Sequence, residues 1–235
     1  MVDRDGARSG VPPSPLMIAI DGPGGSGKST VSRVLAERLG LGFLDTGATY
    51  RAVTLAALQQ DLALEDCAAL GALARDLAHG ALQVSTEVTD RRTLLNGADV
   101  SVLIRGPQVT AAVSQVAAVP AVRQALVAWQ RQLALSSVAC VVEGRDIGVV
   151  VLPEAELKVW LTASVDVRAA RRAREAERGA IDQAAALARR DALDASRELD
   201  PMRPPPDAVI LDSTGLTVAQ VVARLTALLP AAVRS

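Results

Sequence analysis

Residues 22–29 read Gly-Pro-Gly-Gly-Ser-Gly-Lys-Ser, the spacing G-x-x-x-x-G-K-[ST]. Each residue type has a physical reason for its place if the ligand is a polyphosphate. Gly22, Gly24, Gly25 and Gly27 can take positive φ and leave no Cβ between backbone and ligand, so successive N–H groups can converge on phosphate oxygens. Lys28 supplies a mobile charge for the β- and γ-phosphates, and Ser29 offers a hydroxyl to a magnesium ion. Pro23, Ser26 and Thr30 complete the segment. Lysine otherwise occurs only at Lys158, the remaining basic side chains being arginine. The chemistry expected here is capture of the phosphates of a nucleoside triphosphate, with Mg2+ as counter-ion.

Other residues suit a second phosphate-bearing ligand. Arg51 follows a short apolar pair, Phe43-Leu44, and a guanidinium makes bidentate contacts with phosphate oxygens. Its plainer reading is a surface arginine. Glu143, Arg145 and Asp146 stand at the end of an apolar run over 138–142, where charges are costly unless they meet charged ligands or each other. For Glu143 two roles stand side by side: holding a magnesium-bound water, or pairing with a nearby arginine. Farther on, Arg168, Arg171 and Arg172 fall at i, i+3 and i+4, on one helix face that Ser164 can cap. Arg189, Arg190, Asp194 and Arg197 continue the pattern. These residues read either as a solvated, salt-bridged helical hairpin or as a lid that closes arginines over a transferring phosphoryl group.

The elements that must position this chemistry are visible in the pattern. Residues 16–20 form a continuous apolar run, as in a buried parallel strand. After the glycine-rich turn, Val31, Val34, Leu35 and Leu39 recur at helical spacing, and Gly40 supplies a stop. A flexible GGSG linker would not sit between such a strand and such a helix. Helix is expected near 65–79, a hairpin at Asn96-Gly97, helix through 114–134 with Pro120 at a helix start, strands over 157–163 and 208–211, and a closing amphipathic helix. Asp45-Thr46-Gly47 is expected to be a turn, with helix beginning at Tyr50.

Composition excludes several classes. The 235 residues are half apolar, enough for one α/β domain with insertions. Aromatic residues are 2% of the chain, Phe43 and Tyr50 being single examples of their types, so base-stacking platforms are poorly supplied. With 25 basic and 26 acidic side chains the net charge is −1, which gives no chain-wide case for a nucleic-acid polymer. Cys67 and Cys140 fit no metal or redox spacing, and His79 is the one histidine. No apolar run approaches the roughly 20 residues of a bilayer span, and the start lacks a secretory pattern. A cytoplasmic monomer is expected. A guanine-reading N-K-x-D is absent, which speaks against a signalling GTPase.

The blocks DGPGGSGKST, DTGATYR, SQVAAVPAVR, VVEGRDIG and LDSTG, in that order from residue 17 to about 230, resemble the bacterial cytidylate kinase family. The resemblance implies a doubly wound parallel sheet of the P-loop NTPase type, carrying an inserted nucleoside-monophosphate-binding domain and a helical lid. It implies transfer of the γ-phosphoryl group of ATP to CMP or dCMP, with Mg2+. It places Arg51, Arg145 and Arg197 on the acceptor phosphate, Thr46 and Tyr50 in the CMP site, and Ser114, Arg123 and Asp146 at cytosine. Arg190 and Asp194 fall near the sugar, and Arg168, Arg171 and Arg172 near the donor phosphates. The implied division is a flexible tail (1–15), a core (16–58, 136–163 and 205–235), an insertion (59–135) and a lid (164–204). Two alternatives remain: a P-loop kinase for another small acceptor such as UMP or shikimate, and a non-catalytic nucleotide-binding switch.

Overall fold

The computed structural model describes residues 15–176, 180–196 and 202–230. Residues 1–14 of the expected tail, and Arg197 of the expected site, lie outside the described residues. From the start, Leu16–Asp21 (β1) runs through the glycine-rich turn into Lys28–Leu39 (α1). Gly42–Asp45 (β2) leads into Thr46–Gln59 (α2) and Cys67–Asp76 (α3). A wider helical turn, Leu77–Ala81, then enters Leu82–Val84 (β3), Thr93–Leu95 (β4) and Ala98–Asp99 (β5). A 3₁₀ turn, Leu103–Arg105, precedes Pro107–Ala118 (α4) and Pro120–Leu135 (α5). Ala139–Glu143 (β6), the turn Ile147–Val151, Leu157–Thr162 (β7), Val165–Ala176 (α6), Ala180–Ala195 (α7), Val209–Asp212 (β8) and Val218–Leu228 (α8) complete the order.

Five strands form one parallel sheet in the order β2-β6-β1-β7-β8, so the strand feeding the glycine-rich turn is central. Its alternating residues serve two layers, as the period of two requires. Ile18 and Ile20 pack in a cluster with Val31 and Leu35 of α1 and Val222 and Leu225 of α8. Met17 and Ala19 belong to a second cluster with Ala134 of α5 and Ile147. This is the doubly wound α/β sheet expected from the sequence, held by aliphatic contacts. A third cluster joins α2, α3, α4 and α5, with Leu70, Val109, Val122 and Leu126 fully or nearly buried. Strands β3, β4 and β5 form a separate antiparallel sheet. Among the described residues no single helix is long and apolar enough to cross a membrane.

Three local expectations are refined. The second helix begins at Thr46, not at Tyr50, because Asp45 caps it: its side chain accepts a bond from the Ala48 N–H at 3.0 Å. The expected turn is therefore the first turn of α2, and it brings Thr46 to the sheet edge. The stretch through 114–134 is two helices bent by 94°. Val119 precedes a proline and takes an extended ψ of 118°, which ends α4, and Pro120 starts α5. The Asn96-Gly97 hairpin is present between β4 and β5, with φ of 51° and 79° at its two central residues.

Leu35 is fully buried between α1 and the sheet. Leu35→Ala is expected to lower unfolding stability by about 2–5 kcal/mol, read from the urea midpoint, through lost transfer energy and the cavity left behind.

Candidate functional site

The glycine-rich turn joins the carboxyl end of β1 to the amino end of α1. Gly22 (φ 146°), Gly25 (φ 75°) and Gly27 (φ 92°) occupy the positive-φ region. Gly24 does not, contrary to expectation. At Gly22 space is as decisive as conformation, since a Cβ there would lie 2.1 Å from the Leu161 carbonyl oxygen of β7. Lys28 opens α1, and its Nζ donates to the Pro23 carbonyl at 2.9 Å. The Ser26 hydroxyl is buried and has no hydrogen-bond partner among the described residues, a polar atom available to a ligand in the loop. Thr30 is exposed on the outer side of α1.

In front of this turn lies an open cleft. One wall carries Gly24, Lys28 and Ser29; Thr46, Tyr50 and Arg51 enter from α2, and Ser114 from α4. Arg123 comes from α5, Glu143, Arg145 and Asp146 from the end of β6, and Arg172 and Asp194 from the two arginine-rich helices. Donor-type and acceptor-type residues of the sequence reading thus share one cavity, at the carboxyl ends of parallel strands.

Several of these side chains are held by specific partners. Arg51 donates from Nη1 to the Ile104 carbonyl at 3.0 Å and to the Thr110 hydroxyl at 2.9 Å. Arg123, only 1% exposed, pairs with Asp146 and lies 5.9 Å from the Tyr50 ring centroid. The Thr46 hydroxyl donates to the Glu143 carbonyl at 2.7 Å, which leaves its lone pairs for a ligand donor. Arg145 reaches the Gly22 carbonyl at 3.2 Å, and Asp194 lies 3.4 Å from its Nε.

Burial and like charges set the electrostatics of the cleft. Burial, and then the guanidinium of Arg172, lowers Arg51 to about 10, still charged at neutral pH. Burial and the nearby Arg145 hold Lys28 well below the usual lysine range. Burial and the Asp45 carboxylate hold Glu143 above the usual carboxylate range, although Lys28 and a hydrogen bond from Ser29 oppose this. The oxygens of Ser29, Glu143 and Asp45 are hard donors of the kind Mg2+ takes, and a dication would relieve the repulsion between the two carboxylates. Among the described residues no cluster of three or more His, Cys, Asp or Glu could hold a metal ion alone. Phosphate oxygens and water would supply the remaining ligands.

The arginine-rich helices α6 and α7 lie over the P-loop. Arg168 is buried behind it, donating to the Gly24 carbonyl at 3.0 Å and the Ala163 carbonyl at 3.2 Å and pairing with Asp191; it does not line the cleft. Arg171 holds the Ser26 carbonyl at 2.9 Å and the Ser213 carbonyl at 3.0 Å. Arg190 belongs to α7, but its side chain lies outside the described residues, as does Arg197 entirely.

A family model described as cytidylate kinase matches residues 18–231. The chain belongs to the cytidylate kinase family. A cytidylate kinase of Nocardia farcinica is 49% identical over 218 residues, covering 91% of this chain and 93% of that protein. One from Rhodococcus jostii is 48% identical over 217 residues, covering 90% and 93%. One from Corynebacterium glutamicum is 47% identical over 226 residues, covering 94% and 97%.

Four charged residues at or beside the cleft escaped the sequence reading. Asp21 is fully buried beside the P-loop; its signal was a carboxylate ending an otherwise apolar strand. Asp45 caps α2 and accepts from Arg105 at 3.1 Å across the cleft. Arg105 sits on a 3₁₀ turn with no periodic signal. Asp191 accepts from the Gly24 N–H at 3.1 Å and faces Arg145 and Arg168, hidden in sequence among many lid charges.

A bound polyanion raises the proton affinity of both Lys28 and Glu143. Binding of a metal-free nucleoside triphosphate at about pH 8 is therefore expected to take up protons, and its affinity to fall as pH rises. Calorimetry in two buffers of different ionisation enthalpy measures this; net proton release would contradict the charge assignment. Lys28→Ala should reduce the uptake.

Proposed function

We propose that this protein transfers the γ-phosphoryl group of ATP to CMP or dCMP, giving ADP and CDP or dCDP. The observation that carries the reading is the single cleft in which a P-loop lysine and serine face three buried or half-buried arginines, Arg51, Arg145 and Arg172, and a buried Arg123–Asp146 pair. A triphosphate-binding switch needs the first half of that arrangement. A second phosphate-bearing substrate needs the other half.

In the proposed reaction an ionised oxygen of the CMP phosphate attacks the γ-phosphorus in line. The new bond forms between that oxygen and the γ-phosphorus, and the bond to the β–γ bridging oxygen breaks, leaving its electron pair on ADP. The attacking oxygen already carries charge at neutral pH, so no side chain need remove a proton. What the protein supplies is position and positive charge for a loose transition state. Lys28, with the amides of the glycine-rich turn and the amino end of α1, holds the β- and γ-phosphates. Arg51, Arg145 and Arg197 hold the acceptor phosphate, and Arg172 lies between the two. Ser29, and Glu143 through a water, would hold Mg2+, which would supply positive charge against the triphosphate. The bond between Ser29 and Glu143 supports that role for Glu143 over an arginine pair.

Cytosine recognition falls to Ser114, Arg123 and Asp146. The base presents acceptors at O2 and N3, suited to hydroxyl and guanidinium donors, and a 4-amino donor that needs an acceptor. All three residues are nearly buried at one end of the cleft. Tyr50, with its ring near Arg123, completes that end. Arg190 and Asp194 are assigned to the sugar. Helices α6 and α7 act as a lid that excludes water, with Arg168 and Arg171 bracing the P-loop. The division into core (16–58, 136–163 and 205–235), insertion (59–135) and lid (164–204) belongs to this reading, as does a cytoplasmic monomer.

A coupled assay over a panel of acceptors should give CMP and dCMP the highest kcat/KM. Preference for UMP or shikimate would move the assignment to another acceptor, and ATP binding without acceptor-dependent turnover would favour a switch. Lys28→Ala should lower kcat by about 10²–10³-fold with a smaller change in KM, since its charge acts most on the transition state. Ser114→Ala should lower kcat/KM for CMP by about tenfold while ATP affinity is kept, the loss of one buried hydrogen bond.

A further inference from the structure

Three consecutive residues at the end of β1 grip the segment that carries Arg145 and Asp146. The Ile20 carbonyl accepts from the Gly144 N–H at 3.0 Å. The Asp21 carboxylate accepts from the Ile147 N–H at 2.7 Å through one oxygen and from the Gly148 N–H at 2.8 Å through the other. The Gly22 carbonyl accepts from Arg145. Segment 144–148 is thus fastened to the strand that delivers the P-loop.

Of these three fastenings only the middle one uses a side chain of the 20–22 segment, and its chemistry is specific. The turn Ile147–Val151 has no side-chain cap from Asp146, the residue that precedes it. Asp21 supplies acceptors to its first N–H groups from a different strand. Each N–H goes to a different oxygen of one side chain, and a carboxylate is the group that presents two acceptor oxygens and no donor. An asparagine would point its own N–H₂ at one amide. The site is crowded, so the loop has little room to find another arrangement. A Cβ on Gly144 would lie 2.7 Å from the Thr46 hydroxyl, and one on Gly148 would lie 2.9 Å from Pro205. Asp21 itself is fully buried, and burial lifts it to about 6 against the pull of those two amides. A buried carboxylate is a costly way merely to fill space.

We propose that Asp21 is a positioning residue for acceptor recognition: it sets the register of segment 144–148 against the P-loop, so that Arg145 and Asp146 stand where the acceptor phosphate and base must be held. It touches no substrate and acts through the two amides. The proposal rests on the CMP kinase reading, and turnover of CMP by the wild-type enzyme is the control for that reading. Loss of Asp21's function displaces the acceptor end of the cleft and spares the glycine-rich turn, whose own bonds remain.

The test compares wild type with Asp21→Asn, which has nearly the same volume. Binding of ATP is measured directly, and kcat and KM are measured for CMP and UMP. The expected result is ATP affinity within about threefold of wild type, and a CMP-over-UMP preference reduced by about tenfold or more, the scale of one charge-assisted buried hydrogen bond. An unchanged CMP-over-UMP ratio, or ATP affinity lost in parallel with CMP turnover, overturns the proposal. If Asp21→Asn does not fold, hydrogen exchange in the wild-type protein decides. The Ile147 and Gly148 amides should exchange as slowly as those of β6 without nucleotide, and exchange at loop rates overturns the proposal.

Discussion

The parallel ladder between β1 and β6 is the constraint on which the rest of the site depends. Ile20 is in register with Glu143, so both strands end at the same level and release their chains into the same cleft. From β1 comes the glycine-rich turn, from β6 the segment holding Arg145 and Asp146. Phosphoryl transfer requires two anions to be brought within bonding distance against their mutual repulsion. A sheet that ends two neighbouring strands together meets that requirement with backbone bonds, before any side chain contributes. The register of β2 extends the logic, since Asp45 stands opposite Glu143 and carries the start of α2 with Thr46, Tyr50 and Arg51.

The helices outside the sheet turn this level into a pocket with distinct ends. Arg51 would be a mobile arginine if it stood on α2 alone. The Ile104 carbonyl, from the 3₁₀ turn after β5, and the Thr110 hydroxyl, from α4, fix its guanidinium. The bend at Val119 lets α4 and α5 approach from different directions, so Ser114 and Arg123 reach the same end of the cleft. On the other side, Arg168 and Arg171 use P-loop carbonyls as anchors, which leaves Arg172, on the same helix, to face the cavity.

Much of this was legible in the sequence because the signals are local. The strand–turn–helix around Lys28, the Gly40 stop, the Asn96-Gly97 hairpin and Pro120 as a helix start depend on residues within a few positions of each other. The family resemblance then named Ser114 and Arg123, which no local pattern marks. What was not legible is pairing across long separations. Asp45 looks like a turn residue until its side chain is seen to cap α2 and meet Arg105, 60 positions on. Asp21 and its two amides are 126 and 127 positions apart. Asp191 resembles any lid charge until it is found against Gly24, 167 positions away. Periodicity reports which face of an element is buried, but it carries no information about which polar group meets it there.

The same crowding that defines the site also sets like charges against one another within it. Lys28 and Arg51 are held below their ordinary proton affinities and Glu143 above its own, each first by burial and then by a like charge nearby. Salt bridges from Asp191 and Asp194 offset part of the arginine repulsion without removing it. A triphosphate and a monophosphate bring negative charge to the groups that lack it, and a dication near Ser29 and Glu143 brings the complement. Binding energy is thus available from relief of repulsion as well as from new bonds. Under the proposed assignment that energy is largest when both anions are present, because Arg172 is near both Lys28 and Arg51. A cleft tuned in this way favours the complex with both substrates over either one alone, which directs the phosphoryl group to the acceptor rather than to water.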